Sequence, residues 1–282
     1  MVQKPYEKPS VAIVMKSKQG AGKGSVMKPI ELIFGSNFTQ TNGSYLVAGR
    51  FNGAICNRLV VFADEVDLTN KKIADKFKTL VSENTVFLQH KGLYPVAMPH
   101  YMRFIFASNH EQVFLAGSRG RRYLVLEPSG HVAQDRAYFD AFYQWLDNDG
   151  AAHLLDYLLQ RDISDFDPRR APVTQAVRDE ILVNLTVMDG FVLNELCKEL
   201  PFGALRVSPN DVCIRLEDYL LSRGFSKETE PQLRSKIGKM AKRYGIERTG
   251  KRGVNLLYHL PAPELFRNKF ASMFGVNPND LF

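Results

Sequence analysis

SVAIVMKSKQGAGKGS, residues 10–25, passes from an apolar run through a glycine-rich turn into the start of a helical stretch. Val11 to Met15 are continuous rather than alternating, which suits a strand buried on both faces, and 24–33 reads as a helix. Gly20, Gly22 and Gly24 let backbone N–H groups close around an anion, with Ala21 between them, and the helix N-terminus adds a favourable dipole. The spacing departs by one letter from the phosphate-loop pattern G-x-x-x-x-G-K-[ST]. Ser17 stands at the first glycine's place, and Lys23 is followed by Gly24, so the hydroxyl of Ser25 comes one position late. In a helix that residue lies about 100° further round, where it reaches a metal only through water.

Three further runs share the apolar character: RLVVFA (58–63), RFIFAS (103–108) and RYLVLE (122–127). Between the first two lie an amphipathic helical pattern, NKKIADKFKTLVSE (70–83), and a hairpin pattern, TVFLQHKGLYPVAM (85–98), turning at Lys91-Gly92. Together they predict an α/β fold, a parallel sheet covered by helices with its ligand site at the strand ends. From 134 the chain turns helical through QDRAYFDAFYQWLDNDG, and DFDPRRAPVT (165–174) breaks it at Pro168 and Pro172. The expected domains are a core over 1–130, its helical extension over 131–168, and a helical, basic domain over 169–282.

The 282 residues carry a net charge of +7 that is unevenly spread. Residues 223–252 hold ten lysines and arginines against three acids, an excess equal to that of the whole chain. A focused basic segment suits a polyanion. No apolar run approaches the roughly 20 residues of a membrane-spanning helix. Cys56, Cys197 and Cys213 are isolated, which indicates neither a zinc site nor a disulfide framework.

LVVFADE (59–65) closes a buried strand with two acids, Asp64 and Glu65. For stability alone this placement has little to recommend it. For hydrolysis of a nucleoside triphosphate it is apt: Asp64 holds magnesium and Glu65 polarises the attacking water. FIFASNH (104–110) ends in Asn109, a neutral amide able to hold that water without adding charge. SRGRRYLVLE (118–127) sets Arg119, Arg121 and Arg122 before another strand, where one of them can reach the phosphates of a neighbouring subunit.

SKQGAGKGS, LVVFADE, FKTLVSE with HKGLYP, FIFASN and GSRGRRYLVLE stand in the order and compact spacing of superfamily 3 helicases. Residues 5–170 resemble most closely the helicase domain of phage- and plasmid-type primase–helicases, relatives of the poxvirus primase–helicase. The resemblance implies an AAA+ P-loop ATPase core that binds ATP and Mg2+ and assembles as a hexameric ring on single-stranded or forked DNA. It makes Lys23 the Walker A lysine, Asp64 and Glu65 the Walker B pair, Asn109 the sensor, and Arg121 or Arg122 the finger acting in trans. Lys91, with His90 beside it, falls on the hairpin that grips DNA in the ring channel. A primase or polymerase module in the same polypeptide and a place in the host-cell cytoplasm are further implications, and the fragment alone is expected to be monomeric.

The basic region is similar to a winged helix. SPNDVCIRLEDYLLSRGFS (208–226) and ETEPQLRSKIGKMAKRYG (228–245) form the helix pair, and GIERTGKRGVNLLYHL (245–260) the wing. Lys239, Lys242 and Arg243 on the second helix, and Lys251 and Arg252 at the wing tip, are its candidate DNA contacts. Two rival readings remain at this level. One is a DNA-binding initiator or loader ATPase that never unwinds, and the other a nucleotide kinase, suggested by G-K-G-S alone.

Overall fold

In a computed structural model of the protein, the described residues are 1–43, 53, 55–110, 113, 122–197, 206–250, 256–274 and 277–282. They form two units, Met1–Glu180 and Ile181–Phe282.

The first unit is built on five parallel strands. In chain order these are β1 (Ala12–Lys16), β2 (Phe38–Asn42), β3 (Val60–Asp64), β6 (Arg103–Ser108) and β7 (Tyr123–Leu126), and in space they run β2-β3-β6-β1-β7. Two shorter strands, β4 (Thr85–Leu88) and β5 (Val96–Pro99), make a separate antiparallel hairpin at the expected place. Every residue of β6 is buried, which explains its unbroken apolar run.

Alternate β6 side chains serve two cores. Ile105 and Ala107 join Met15, Phe38, Val60 and Phe62 in a cluster closed by Met27, Ile30 and Phe34 of α1 (Lys23–Phe34). Phe104 and Phe106 stack toward α2 (Lys71–Ser82), with the Phe106 ring centroid 4.7 Å from that of Phe77. The α2 face is spaced for this contact, since Ala74, Phe77 and Val81 are its buried residues. Its start is set by Asn70, whose side-chain oxygen accepts from the Lys72 and Ile73 amides at 3.0 and 3.4 Å. Phe106 also lies 6.5 Å from the ring of Tyr123 and is wholly buried. Phe106→Ala is expected to cost about 3–5 kcal/mol, read as a lower denaturant midpoint with unchanged slope.

The amino-terminal segment is clamped to the start of β6. Arg103 is buried and donates to the carbonyls of Lys4, Pro5 and Tyr101 at 2.9–3.0 Å. Lys8, also buried, donates to the carbonyls of Leu80 at 2.9 Å and Glu83, and its Nζ lies 2.9 Å from His100 Nε2. An ammonium has only donors, so Nε2 accepts and the imidazole is neutral. Burial and the Lys8 charge push the His100 pKa down to about 4.

Between pH 6.5 and 4 the unfolded chain therefore takes up a proton at His100 that the folded chain refuses. Stability falls as the pH drops through that window, by roughly 3 kcal/mol in full. His100→Gln is expected to flatten this part of the stability–pH curve, measured by denaturant titration at pH 7, 5.5 and 4.

After β7 come α3 (Arg136–Trp145), α4 (Ala151–Gln160) and α5 (Gln175–Val183). The division between the units, at 180/181, falls inside α5.

The second unit contains α6 (Val187–Phe191), β8 (Arg206–Val207), α7 (Pro209–Ser222), α8 (Glu230–Tyr244), β9 (Glu247–Thr249), β10 (Leu257–His259) and α9 (Pro263–Phe274). Its three strands pair antiparallel in the order β8-β10-β9. Ser208 and Asp211 form a reciprocal cap on α7, and Pro209 occupies its first turn. The expected helix pair and two strands are all present. The core is aromatic: Tyr244 stacks on Phe270 at 6.4 Å, and Phe266 and Phe274 are buried beside them. Asp189, 2% exposed, accepts from the Tyr244 hydroxyl at 2.8 Å and lies 3.2 Å from Arg243 Nη1. Among the described residues no helix is long and apolar enough to cross a membrane.

Candidate functional site

Parallel strands place all their carboxyl ends on one edge, and β1, β3 and β6 are neighbours or next neighbours in the sheet. The turn after β1, the acids ending β3 and the amide following β6 therefore meet, although they are far apart in sequence. The Ser17 amide donates to the Ser108 carbonyl at 3.2 Å, joining the first of these to the last.

The turn is a cradle in form. Gly20 and Gly22 have φ of 85° and 81°, the left-handed region that side chains resist, and Gly22 caps α1. No acid occupies the first turn of α1, so nothing within the helix neutralises the positive end of its dipole. Ala21, Gly22 and Ser25 are half-buried, while Gly20 and Gly24 are exposed.

Lys23 is 8% exposed. Its Nζ donates to Asn109 Oδ1 at 2.6 Å, to the Ser17 carbonyl and hydroxyl at 2.9 and 3.0 Å, and to the Lys18 carbonyl at 3.1 Å. Burial holds its pKa below the ordinary lysine value, with the Asp64 carboxylate opposing that shift. Asp64 is half-buried at the end of β3, where its Oδ1 accepts from the Glu65 amide at 2.9 Å. Glu65 is exposed and has φ of 54°, an unusual conformation for a residue with a side chain. Its Oε2 accepts from the Asn42 amide group at 2.9 Å.

Thus Lys23, Asp64, Glu65 and Asn109 come to a single edge. Three further residues there escaped the sequence reading. Asn42 ends β2, whose polar sequence FTQTN gives no apolar signal. Phe139 and Tyr143 lie on α3. A β-carbon added at Gly22 would stand 3.2 Å from Phe139 Cζ, and the Tyr143 hydroxyl is 3.1 Å from Ser25 Oγ. The clue was present in RAYFDAFYQW: five aromatic residues in ten, none of them buried.

The remaining candidates lie elsewhere. Arg122 precedes β7 and so stands at the opposite sheet edge; its carbonyl accepts from the Ala12 amide at 2.7 Å and its Nε donates to Ser82 Oγ. Arg119 and Arg121 lie outside the described residues. His90 and Lys91 are exposed at the β4–β5 turn, where Tyr94 is 92% exposed. A β-carbon at Gly53 would clash with the His90 ring at 2.6 Å, so backbone closely approaches that ring.

On α8, Lys239 and Lys242 are exposed and form no ion pair among the described residues. Arg243 is tied to Asp189, Arg234 to Glu230 at 2.7 Å, and Lys236 to Glu228. Lys251 and Arg252 lie outside the described residues.

Residues 15–122 match a family model described as a family of unknown function, DUF5906. The chain is 25% identical over 202 residues to the DNA primase-polymerase of Nitratiruptor phage NrS-1. That match takes in 69% of this chain and 27% of the phage protein, so the chain spans about a quarter of the relative's length. Structures of the NrS-1 C-terminal region share its fold. One apo structure superposes with a TM-score of 0.68 at 18% identity, over 90% of this chain and 67% of the other. An A-form apo structure gives 0.69 at the same identity and coverage.

Proposed function

We propose that this chain is an ATP-dependent DNA helicase module of the superfamily 3, AAA+ type, working in replication beside a primase–polymerase. The observation that carries the proposal is the meeting of Lys23, Asp64, Glu65 and Asn109 at one edge of a β2-β3-β6-β1-β7 sheet. Its similarity to a phage primase-polymerase supports the replicative setting.

The turn at 17–22 and the α1 amides receive the phosphates, and Lys23 neutralises their charge. Asn109 holds the ammonium in place at 2.6 Å. Glu65 accepts the proton of the attacking water, with its carboxylate position set by Asn42. One carboxylate fits magnesium, which keeps several waters and shares phosphate oxygens. Asp64 would hold it, with Ser25 reaching it through water, and it would supply charge neutralisation at the phosphates. Gly24 offers no hydroxyl for that purpose.

The finger acts in trans from residues 119–122. Arg122, bound to Ser82 in its own chain, must release that hydroxyl to serve; Arg119 and Arg121 are the other candidates. The exposed hairpin turn at His90 and Lys91 grips the strand. In the second unit, the order α6, β8, α7, α8, β9, β10 supports the reading of a winged helix. Lys239 and Lys242 are its available phosphate contacts, whereas Arg243 braces α8 against Asp189.

A forked-duplex unwinding assay tests this function. Strand separation that needs ATP and is lost in Lys23→Ala and Lys91→Ala is the expected result. ATP hydrolysis without strand separation, in an assembled ring, would give the loader reading instead.

A further inference from the structure

A cavity of about 970 Å3 opens at the sheet edge opposite the glycine turn. Its wall is made where the chain enters the strands: Ser10 before β1, Tyr101 before β6 and Arg122 before β7. Asn84 and His100, joined by an amide-to-carbonyl bond of 2.9 Å, lie at the two feet of the β4–β5 hairpin and line it too.

Its charge is predominantly positive. Lys8, Arg122, Arg169 and Arg170 face Glu7 and Asp167, and His100 is neutral. Both acids have other company: Glu7 is 3.7 Å from Lys4, and Asp167 accepts from the Arg169 amide at 2.9 Å. Arg169 and Arg170 are exposed, and neither they nor Arg122 form an ion pair among the described residues. Guanidinium groups left without carboxylates in a concave wall suit phosphate oxygens.

A bare phosphate is too small for the space, which matches the upper end of ligand pockets, roughly 1,000 Å3. Tyr6 and Tyr101 supply what the arginines lack. They are 69% and 46% exposed on the same wall, flat apolar surfaces against which a base can stack. A duplex keeps its bases stacked inside and cannot use both features, whereas an unpaired strand can.

We propose that this cavity binds single-stranded nucleic acid as the strand passes the feet of the hairpin. Its phosphates lie on Arg169 and Arg170, and a base lies against Tyr101. The proposal rests on the reading of the hairpin as a strand-gripping element, and extends the strand's path from the exposed tip to the root.

The test is fluorescence anisotropy of the full chain with a labelled oligothymidylate of about 12 nucleotides, without ATP, across salt concentrations. Arg169→Ala with Arg170→Ala is expected to weaken binding about tenfold and to flatten the log–log salt slope by about 1.4, two phosphate contacts' worth. Tyr101→Ala is expected to weaken binding at least about fivefold while leaving the slope unchanged. Unaltered affinity and slope in the double arginine variant would overturn the proposal. So would binding of thymidine 5′-monophosphate that the double variant loses while oligonucleotide binding persists, since that marks a free-nucleotide site. DNA-independent ATP hydrolysis on the same preparations separates the two readings: failure here with hydrolysis intact removes the cavity's role alone.

Discussion

Glu65→Gln is expected to lower ATP turnover about 10^2–10^4-fold while leaving nucleotide affinity within about threefold of the natural chain. The substitution keeps size and hydrogen-bonding capacity but removes the proton acceptor. Its side chain is exposed and outside the core, so folding is unaffected. The bond from Asn42 persists, because the glutamine retains a carbonyl oxygen able to accept it. A single-turnover measurement at saturating ATP, paired with equilibrium binding, distinguishes this chemical defect from a binding defect. Turnover within a few-fold of the natural chain would remove Glu65 from the reaction.

Lys23→Ala carries the second large effect, a loss of roughly 10^2–10^3 in kcat/KM for ATP. Here the loss appears in binding as well as turnover, because the ammonium meets the phosphates in both ground and transition states. The variant also strips Asn109 of its 2.6 Å donor and leaves a gap below the glycine turn. Inorganic tripolyphosphate gives an independent reading. It has no base, so its binding reports the turn and Lys23 alone and is expected to fall in parallel with that of ATP.

The strands of the main sheet were legible where burial is two-sided. β1, β3 and β6 read as uninterrupted apolar runs because α1 and α2 cover opposite faces, and β7 reads the same way although it is an edge strand with Leu126 exposed. β2 was not legible, because only Phe38 among its five residues is buried and the rest of FTQTN is polar. The hairpin announced itself through Lys91-Gly92, where Gly92 has φ of 80°. In the second unit the reading stopped short of α9, although Phe266, Phe270 and Phe274 recur at four-residue spacing and fill its core.

The candidate site divides in the same way. Lys23, Asp64, Glu65 and Asn109 were visible because polar residues closing apolar strands need a reason beyond stability. Asn42, Phe139 and Tyr143 were not, since each gains its meaning only from a neighbour distant in sequence. The same holds for charge. Composition marks 223–252 as basic, but the ion pairs of Arg234, Lys236 and Arg243 depend on where Glu230, Glu228 and Asp189 fall in space. The cavity at the hairpin's feet belongs with these, for it draws together residues 6–10, 82–84, 99–101, 122 and 167–171.

The most direct test is the ATP hydrolysis rate per chain, measured over a wide range of protein concentration with and without single-stranded DNA. Sites completed by a neighbour's arginine and coupled to a bound strand predict a rate that rises with concentration and rises again with DNA. Hydrolysis no greater than that of Lys23→Ala at every concentration, with DNA or without, would contradict the account.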